Sequence, residues 1–249
     1  MSEIMTVEAI LEARWILEKD YWTRTRFPYK TVKGGWSDFD VVAYSPQKGH
    51  LVLGEAKAQG TKESVYVTRY SKKGDFQEFL DGIQFKDPYF SFIKNVMEWN
   101  ELPGGLKDRI FKLNKITFHL VSNWIITLEE QDEGSTVKNG TDALIKALEA
   151  KIMKFPFFEK QKDQPIKVEL LWNSPMDVFV EILQKERKSG QGRRYGNDVI
   201  DLARELNRFR FPSFLSSYGE KLSSSREWKK LLTSQITKSF LEEILSPRR

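Results

Sequence analysis

The strongest pattern in the chain is a pair of short apolar runs, Val41 to Tyr44 and His50 to Leu53, separated by the Ser, Pro and Gly of the stretch from Ser45 to Gly49. This reads as a β-hairpin. Val41, Ala43 and Val52 fall on one face, and Val42, Tyr44, Leu51 and Leu53 on the other, so both faces are apolar and the strands are expected to be covered on both sides. A turn centred between Gln47 and Lys48 places Asp40 opposite Glu55 and Asp38 opposite Lys57. The period of two then gathers all four polar groups on one side of the sheet.

The flanking patterns extend the picture. Thr6, a suitable N-cap, opens an amphipathic helix predicted to reach Lys19, with Val7, Ile10, Leu11, Trp15 and Leu17 facing inward. Tyr21 to Lys30 is predicted as the first strand, with Arg24 and Arg26 on one face and regular pairing ending at Pro28. Beyond Lys57, a polar connection and a short aromatic stretch ending in Arg69, Lys72 and Lys73 are expected to leave the sheet. Asp75 to Trp99 reads as one or two helices broken at Pro88. Strands are predicted over Lys115 to Ile126 and Ile166 to Trp172, and helices over Thr141 to Lys154 and Pro175 to Lys188, the latter with Val178, Phe179, Ile182 and Leu183 inward. This alternation predicts an α/β fold with a mixed central sheet of about five strands flanked by helices. Asn197 to Arg210 is predicted helical, and the capping box at Ser224 to Glu227 starts a last helix through Leu245. The chain thus divides into a core, 1–188, and a basic loop with a C-terminal helical extension, 189–249.

Composition narrows the classes. The 249 residues are 40% hydrophobic and 13% aromatic with seven Trp, enough for a full core. There is no Cys, which excludes disulfides and thiolate metal sites and leaves carboxylates and two His as ligands. Glu3, Glu8 and Glu12 interrupt the first apolar residues, unlike a signal peptide, and no apolar run approaches the roughly 20 residues that span a bilayer. A cytoplasmic protein with no membrane segment is the simplest expectation.

The net charge is +5, but 15 Lys and Arg against 8 Asp and Glu lie between Lys185 and Arg249, leaving 25 against 27 in the rest. This asymmetry suits either a polyanion partner or an exposed helical surface. The stretch Lys185 to Asn197 carries Lys185, Arg187, Lys188, Arg193 and Arg194 among glycines. With Lys72 and Lys73, these are candidate phosphate contacts, a solvated linker being the alternative. His119, inside a strand, reads as a core histidine, and His50 is expected to point away from the acidic end of the hairpin.

Like charges directly opposed across two strands destabilise them, so a purely structural hairpin gains nothing from Asp40 facing Glu55. A divalent cation reverses that sign. The order of Asp40, a hairpin, and then Glu55-Ala56-Lys57 resembles the PD-(D/E)XK nuclease superfamily. SDFDVVAY and LVLGEAK are most similar to its restriction-endonuclease-like branch with Mrr-type nucleases and archaeal Holliday-junction resolvases, and Phe39 stands where the motif's name has Pro. The resemblance implies a metal-dependent endonuclease hydrolysing phosphodiester bonds in DNA, duplex or branched. By that resemblance, Asp40, Glu55 and the Ala56 carbonyl would hold Mg²⁺, with Mn²⁺ able to substitute, and Lys57 would orient or help deprotonate the attacking water. Glu8 on the first helix would join the site, with Glu12 one turn on as rival and a solvated helix glutamate as the structural alternative. Asp38 either partners Lys57 or caps the strand entry. Gln84 and Tyr89 resemble residues that some relatives place on the following helix, although core packing also explains Tyr89. The last helix either packs on the core or pairs with the same helix of a second subunit, and a homodimer with no small-molecule cofactor is expected. The other readings are a non-catalytic nucleic-acid-binding or assembly subunit on the same fold, and an RNA-cleaving nuclease.

Overall fold

A computed structural model describes residues 3–57, 64–70, 91–122, 124–130, 140–160, 165–189 and 197–208. The hairpin forms from β2 (Trp36–Ser45) and β3 (His50–Lys57), antiparallel, with Val41 opposite Gly54 and Ser45 opposite His50. This is the register expected from a turn between Gln47 and Lys48. Gly49 closes the turn at φ +60°, in the left-handed region that glycine enters without strain.

The hairpin is the middle of a five-stranded sheet. β1 (Trp22–Lys30) pairs antiparallel with β2 as the edge strand, while β5 (Lys115–Ser122) and β7 (Lys167–Asn173) continue the sheet in parallel beyond β3. The order β1-β2-β3-β5-β7 makes it the mixed α/β sheet that the pattern predicts. Pro28 does not end the pairing of β1, since it stands opposite Asp38 and the ladder runs on to Lys30 and Trp36. An edge strand tolerates a residue with no N–H to donate.

Two further differences concern strand partners. The run expected as one strand from Lys115 to Ile126 divides, with β5 in the main sheet and β6 (Trp124–Glu130) pairing in parallel with β4 (Ser64–Tyr70) as a second sheet. The division falls at Ser122-Asn123, polar residues inside an otherwise β-forming run. The stretch ending in Arg69, expected to leave the sheet as a connection, is β4 itself, and its Val-Tyr-Val-Thr composition fits a strand.

Helices cover both faces of the main sheet. On one side, α1 (Glu3–Ile16), α6 (Pro175–Ser189) and α7 (Asp198–Arg208) bury Val7, Leu11, Trp15, Val178, Ile182 and Ile200 against Val41, Ala43 and Val52. On the other, α2 (Ser91–Met97), α3 (Gly104–Lys107), α4 (Gly140–Ile152) and α5 (Pro156–Glu159) bury Ile93, Val96, Leu106, Leu148 and Phe157 against Val42, Tyr44, Leu51 and Leu53. Both faces of the hairpin therefore bury the residues assigned to them by alternation. α1 ends at Ile16, one turn short of the expected Lys19. No helix among the described residues is long and apolar enough to cross a membrane. The predicted last helix, Gln84, Tyr89 and most of 189–249 lie outside the described residues.

Candidate active site at the open end of the hairpin

The ladder between β2 and β3 stops at Val41 and Gly54, although both strands run on. Beyond it, Asp40 Oδ2 accepts a 2.7 Å hydrogen bond from the backbone N–H of Ala56, so a side chain takes over where the strand ladder ends. Glu55, 7% exposed, follows Gly54. Lys57, two residues on, contacts the Glu55 carboxylate with its ammonium and is 33% exposed. Alternation along β3 places Glu55 and Lys57 on the face of Leu51 and Leu53.

Electrostatics follow from this burial. Desolvation and then the charge of Asp40 push the Glu55 carboxyl up to about 7, against the pull of Lys57. Asp40 is also raised, first by burial and then by Glu8 and Asp38, with the Ala56 hydrogen bond acting the other way. Glu55 is thus held where burial and the charge of Asp40 disfavour its ionised form, and Asp40 where burial and the charge of Glu8 do the same.

The strict period of two fails at this level. Phe39 packs in the same core as Val42 and Tyr44, whereas alternation assigns it to the side of Val41 and Ala43, so β2 changes phase at Asp40. β1 changes phase with it. Arg26 lies between the Thr25–Val41 and Phe27–Phe39 pairs and has φ +47°, a left-handed conformation that non-glycine residues adopt only at a cost. The exposed Arg26 side chain reaches across to Glu8 on α1, with Nε 3.2 Å from Oε2. The four polar groups therefore do not line one face, as strict alternation suggested. Glu55 and Lys57 belong to one face and Glu8 comes from the helix on the other, while Asp40, at the phase change, is bonded to Ala56 and feels the charges of both Glu8 and Lys57. Asp38 is exposed and acts on Asp40, Glu55 and Arg26 through its charge.

Glu8 is the helix carboxylate at this site. It is 7% exposed, while Glu12 is engaged elsewhere by Asn197 Nδ2 at 3.1 Å and by Thr23 Oγ1. Arg26 is the residue that pattern reading placed on the strand without a role. Its signal, a cation in β1 opposite Asp40, appears only once the β1–β2 register is known.

Both histidines are structural. His119 is 1% exposed, accepts at Nδ1 from Trp15 Nε1 at 3.0 Å and donates from Nε2 to Asn173 Oδ1 at 3.1 Å, and burial brings its pKa down to about 3. His50 begins β3, away from the acids. Thr117 donates its one proton to Glu169 at 2.7 Å, so it accepts from His50 Nε2, and His50 Nδ1 accepts from the Tyr21 hydroxyl. Burial lowers the His50 pKa to about 4.

The candidate phosphate contacts fare unequally. The Lys185 ammonium contacts Glu18 and lies 3.4 Å from Glu181, so its charge is already answered. Arg187 and Lys188 lie in the last turn of α6, and Lys72, Lys73, Arg193 and Arg194 lie outside the described residues.

Among the described residues no group of three or more His, Asp or Glu side chains is placed to hold a metal ion. The set that the motif names is smaller, with two carboxylates and a backbone carbonyl, and Mg²⁺ commonly takes one or two carboxylates and keeps several waters. Asp40 has one oxygen outside its bond to Ala56, and the mutual repulsion that raises Glu55 is what a cation relieves. The donor chemistry fits.

No protein-family model matches the chain. No curated protein is similar to it. Among solved structures, the crystal structure of a protein of unknown function, AF1548, is similar at 13% identity and a TM-score of 0.24 over 81% of this chain and 97% of that one, a likeness too slight to bear on fold or function.

Proposed function

We propose that the chain is a Mg²⁺-dependent endonuclease that hydrolyses phosphodiester bonds in DNA at Asp40, Glu55 and Lys57, as its resemblance to the PD-(D/E)XK superfamily implies. The observation that carries the reading is the confinement of Asp40 and Glu55 at the open end of the hairpin, with Glu55 pushed up to about 7 and Lys57 beside it. A half-buried and a buried carboxylate beside a partly exposed lysine suit a site that gains a cation. They do not suit a surface that only binds phosphate, which they repel.

Asp40, Glu55 and the Ala56 carbonyl are the groups that would hold Mg²⁺, and the ion supplies a more acidic water and neutralises phosphate charge. The protein supplies the rest. The Ala56 N–H fixes the Asp40 carboxylate in one orientation. Lys57 is partly exposed beside the Glu55 carboxylate, where its ammonium orients the attacking water and offsets charge developing on the phosphate. Arg26 balances the charge of Glu8 beneath the site and presents an exposed cation at the sheet edge.

Labelled linear, branched and single-stranded DNA, and RNA, incubated with Mg²⁺ or Mn²⁺, test the proposal. Metal-dependent DNA cleavage that is lost in Asp40→Ala supports it. Absence of DNA cleavage with either metal on every substrate overturns it, and cleavage of RNA alone shifts the reading to a ribonuclease.

A further inference from the structure

A second feature lies on β1, on the side away from α1. An open cavity of about 500 Å³ is lined by Trp22, Arg24, Arg109 and Phe111, with Asp108 as the acid among its walls. Phe111 is 88% exposed, far more than a residue of its kind needs to be. Arg24 and Arg109 both lie against the ring of buried Phe27, their guanidinium carbons 5.5 and 5.6 Å from its centroid. Among the described residues neither arginine forms an ion pair, so two cations are gathered on one aromatic ring with their outer edges in solvent.

This combination has a definite chemistry. Two arginines complement a chain of phosphates, and the exposed ring of Phe111 offers a stacking platform to a base. Bases inside a duplex are already stacked, whereas every unpaired base has a free face. At one end of the cavity Arg24 precedes Arg26 by two residues, about 7 Å along a strand, while Pro46 in its wall belongs to the hairpin turn, the end away from Asp40 and Glu55. We propose that the Trp22–Arg24–Arg109–Phe111 groove binds single-stranded nucleic acid and guides an unpaired segment of the substrate along β1 toward the hairpin site. The proposal rests on the nuclease reading for its substrate, and it adds a preference that the hairpin site does not specify. A substrate with a single-stranded flank or branch engages both features, and a blunt duplex engages only one.

The test is equilibrium binding of fluorescently labelled single-stranded DNA and of a blunt duplex, each measured without divalent metal so that no cleavage intervenes. Phe111→Ala and Arg109→Glu alter exposed side chains, and circular dichroism melting verifies that both variants are folded. The expected result is that Phe111→Ala loses about 5- to 150-fold in affinity for the single strand, the range of one stacked base, and Arg109→Glu at least about 5-fold, with duplex affinity changed much less. Single-strand affinity unchanged in both variants overturns the groove assignment, as does the absence of single-strand binding by the unmodified protein. Neither outcome touches the nuclease reading, which loss or retention of cleavage in Asp40→Ala decides separately.

Discussion

Asp40 on β2 is joined to Ala56 on β3 through its carboxylate, which accepts the Ala56 N–H at 2.7 Å just past the last backbone pair, Val41 and Gly54. One residue therefore ends the ladder, satisfies a buried donor and places a negative charge beside Glu55. The charge and the hydrogen bond are separable by substitution. Asp40→Asn keeps an acceptor for Ala56 and removes a charge that burial and Glu8 disfavour, so it should be at least as stable as the unmodified protein at pH 8. Asp40→Ala leaves a buried N–H without a partner and should lose about 1–3 kcal/mol in urea unfolding. Equal stability of the two variants contradicts the assigned hydrogen bond.

Glu55 makes the metal-free protein pH-dependent. Its carboxyl ordinarily titrates at 4.5 and here at about 7, so between these values the folded state binds more protons than the unfolded state. Stability from this group is complete below about 4.5 and is lost as pH rises through about 7. Glu55→Gln should remove that decline, making the variant more stable than the parent at pH 8 and nearly equal to it at pH 4. Denaturant midpoints across this range, without metal, measure the difference.

The two buried histidines act in the opposite direction. His119 falls from 6.5 to about 3 and His50 from 6.5 to about 4, so below pH 6.5 the unfolded state takes up protons that the folded state refuses. Their contribution is present above 6.5 and is lost as pH falls towards those lower values. In the Glu55→Gln background, stability should therefore fall on acidification below pH 6.5, and the His119 ring protons should show no titration above pH 5 by NMR.

Arg26 carries a backbone cost that its side chain must justify. At φ +47°, glycine is relaxed and alanine is not, so Arg26→Gly should be more stable than Arg26→Ala by about 1 kcal/mol. Both variants lose the Glu8 ion pair, and both should cleave DNA more slowly than the parent. Gly and Ala variants of equal stability contradict the strained conformation.

Much of this arrangement was legible before the structure, and the reasons differ by element. The hairpin register followed from the position of the turn, since both faces are apolar and alternation alone would tolerate a slip of one residue. The Asp40 and Glu55 proximity followed from that register. The phase change at Arg26 and Asp40 was not legible, since a left-handed arginine has no composition mark and depends on the helix above supplying Glu8. Nor was the split between β5 and β6, because β-propensity does not report which sheet a strand joins. Lys185 read as a spare base although Glu181, four residues earlier on the same helix, was legible as a partner, whereas Glu18 reaches it only through the packing of α1 against α6.

Gly54 tests how tightly that packing is held at the site. A Cβ there would lie 2.8 Å from Leu11 Cδ2 and 3.1 Å from the Val41 carbonyl oxygen. Gly54→Ala must displace the Leu11 side chain and shift the Val41 backbone by a few tenths of an ångström, and should lose about 1–3 kcal/mol. Its cleavage rate should fall as well, since the next residue is Glu55.

The most direct test of the central claim is single-turnover cleavage of labelled DNA with Mg²⁺ by the parent, Asp40→Asn and Lys57→Ala, with DNA affinity measured in parallel without metal. The account predicts Mg²⁺-dependent cleavage by the parent, loss of that cleavage in both variants, and affinity retained to within a few-fold. Cleavage unchanged in both variants contradicts it.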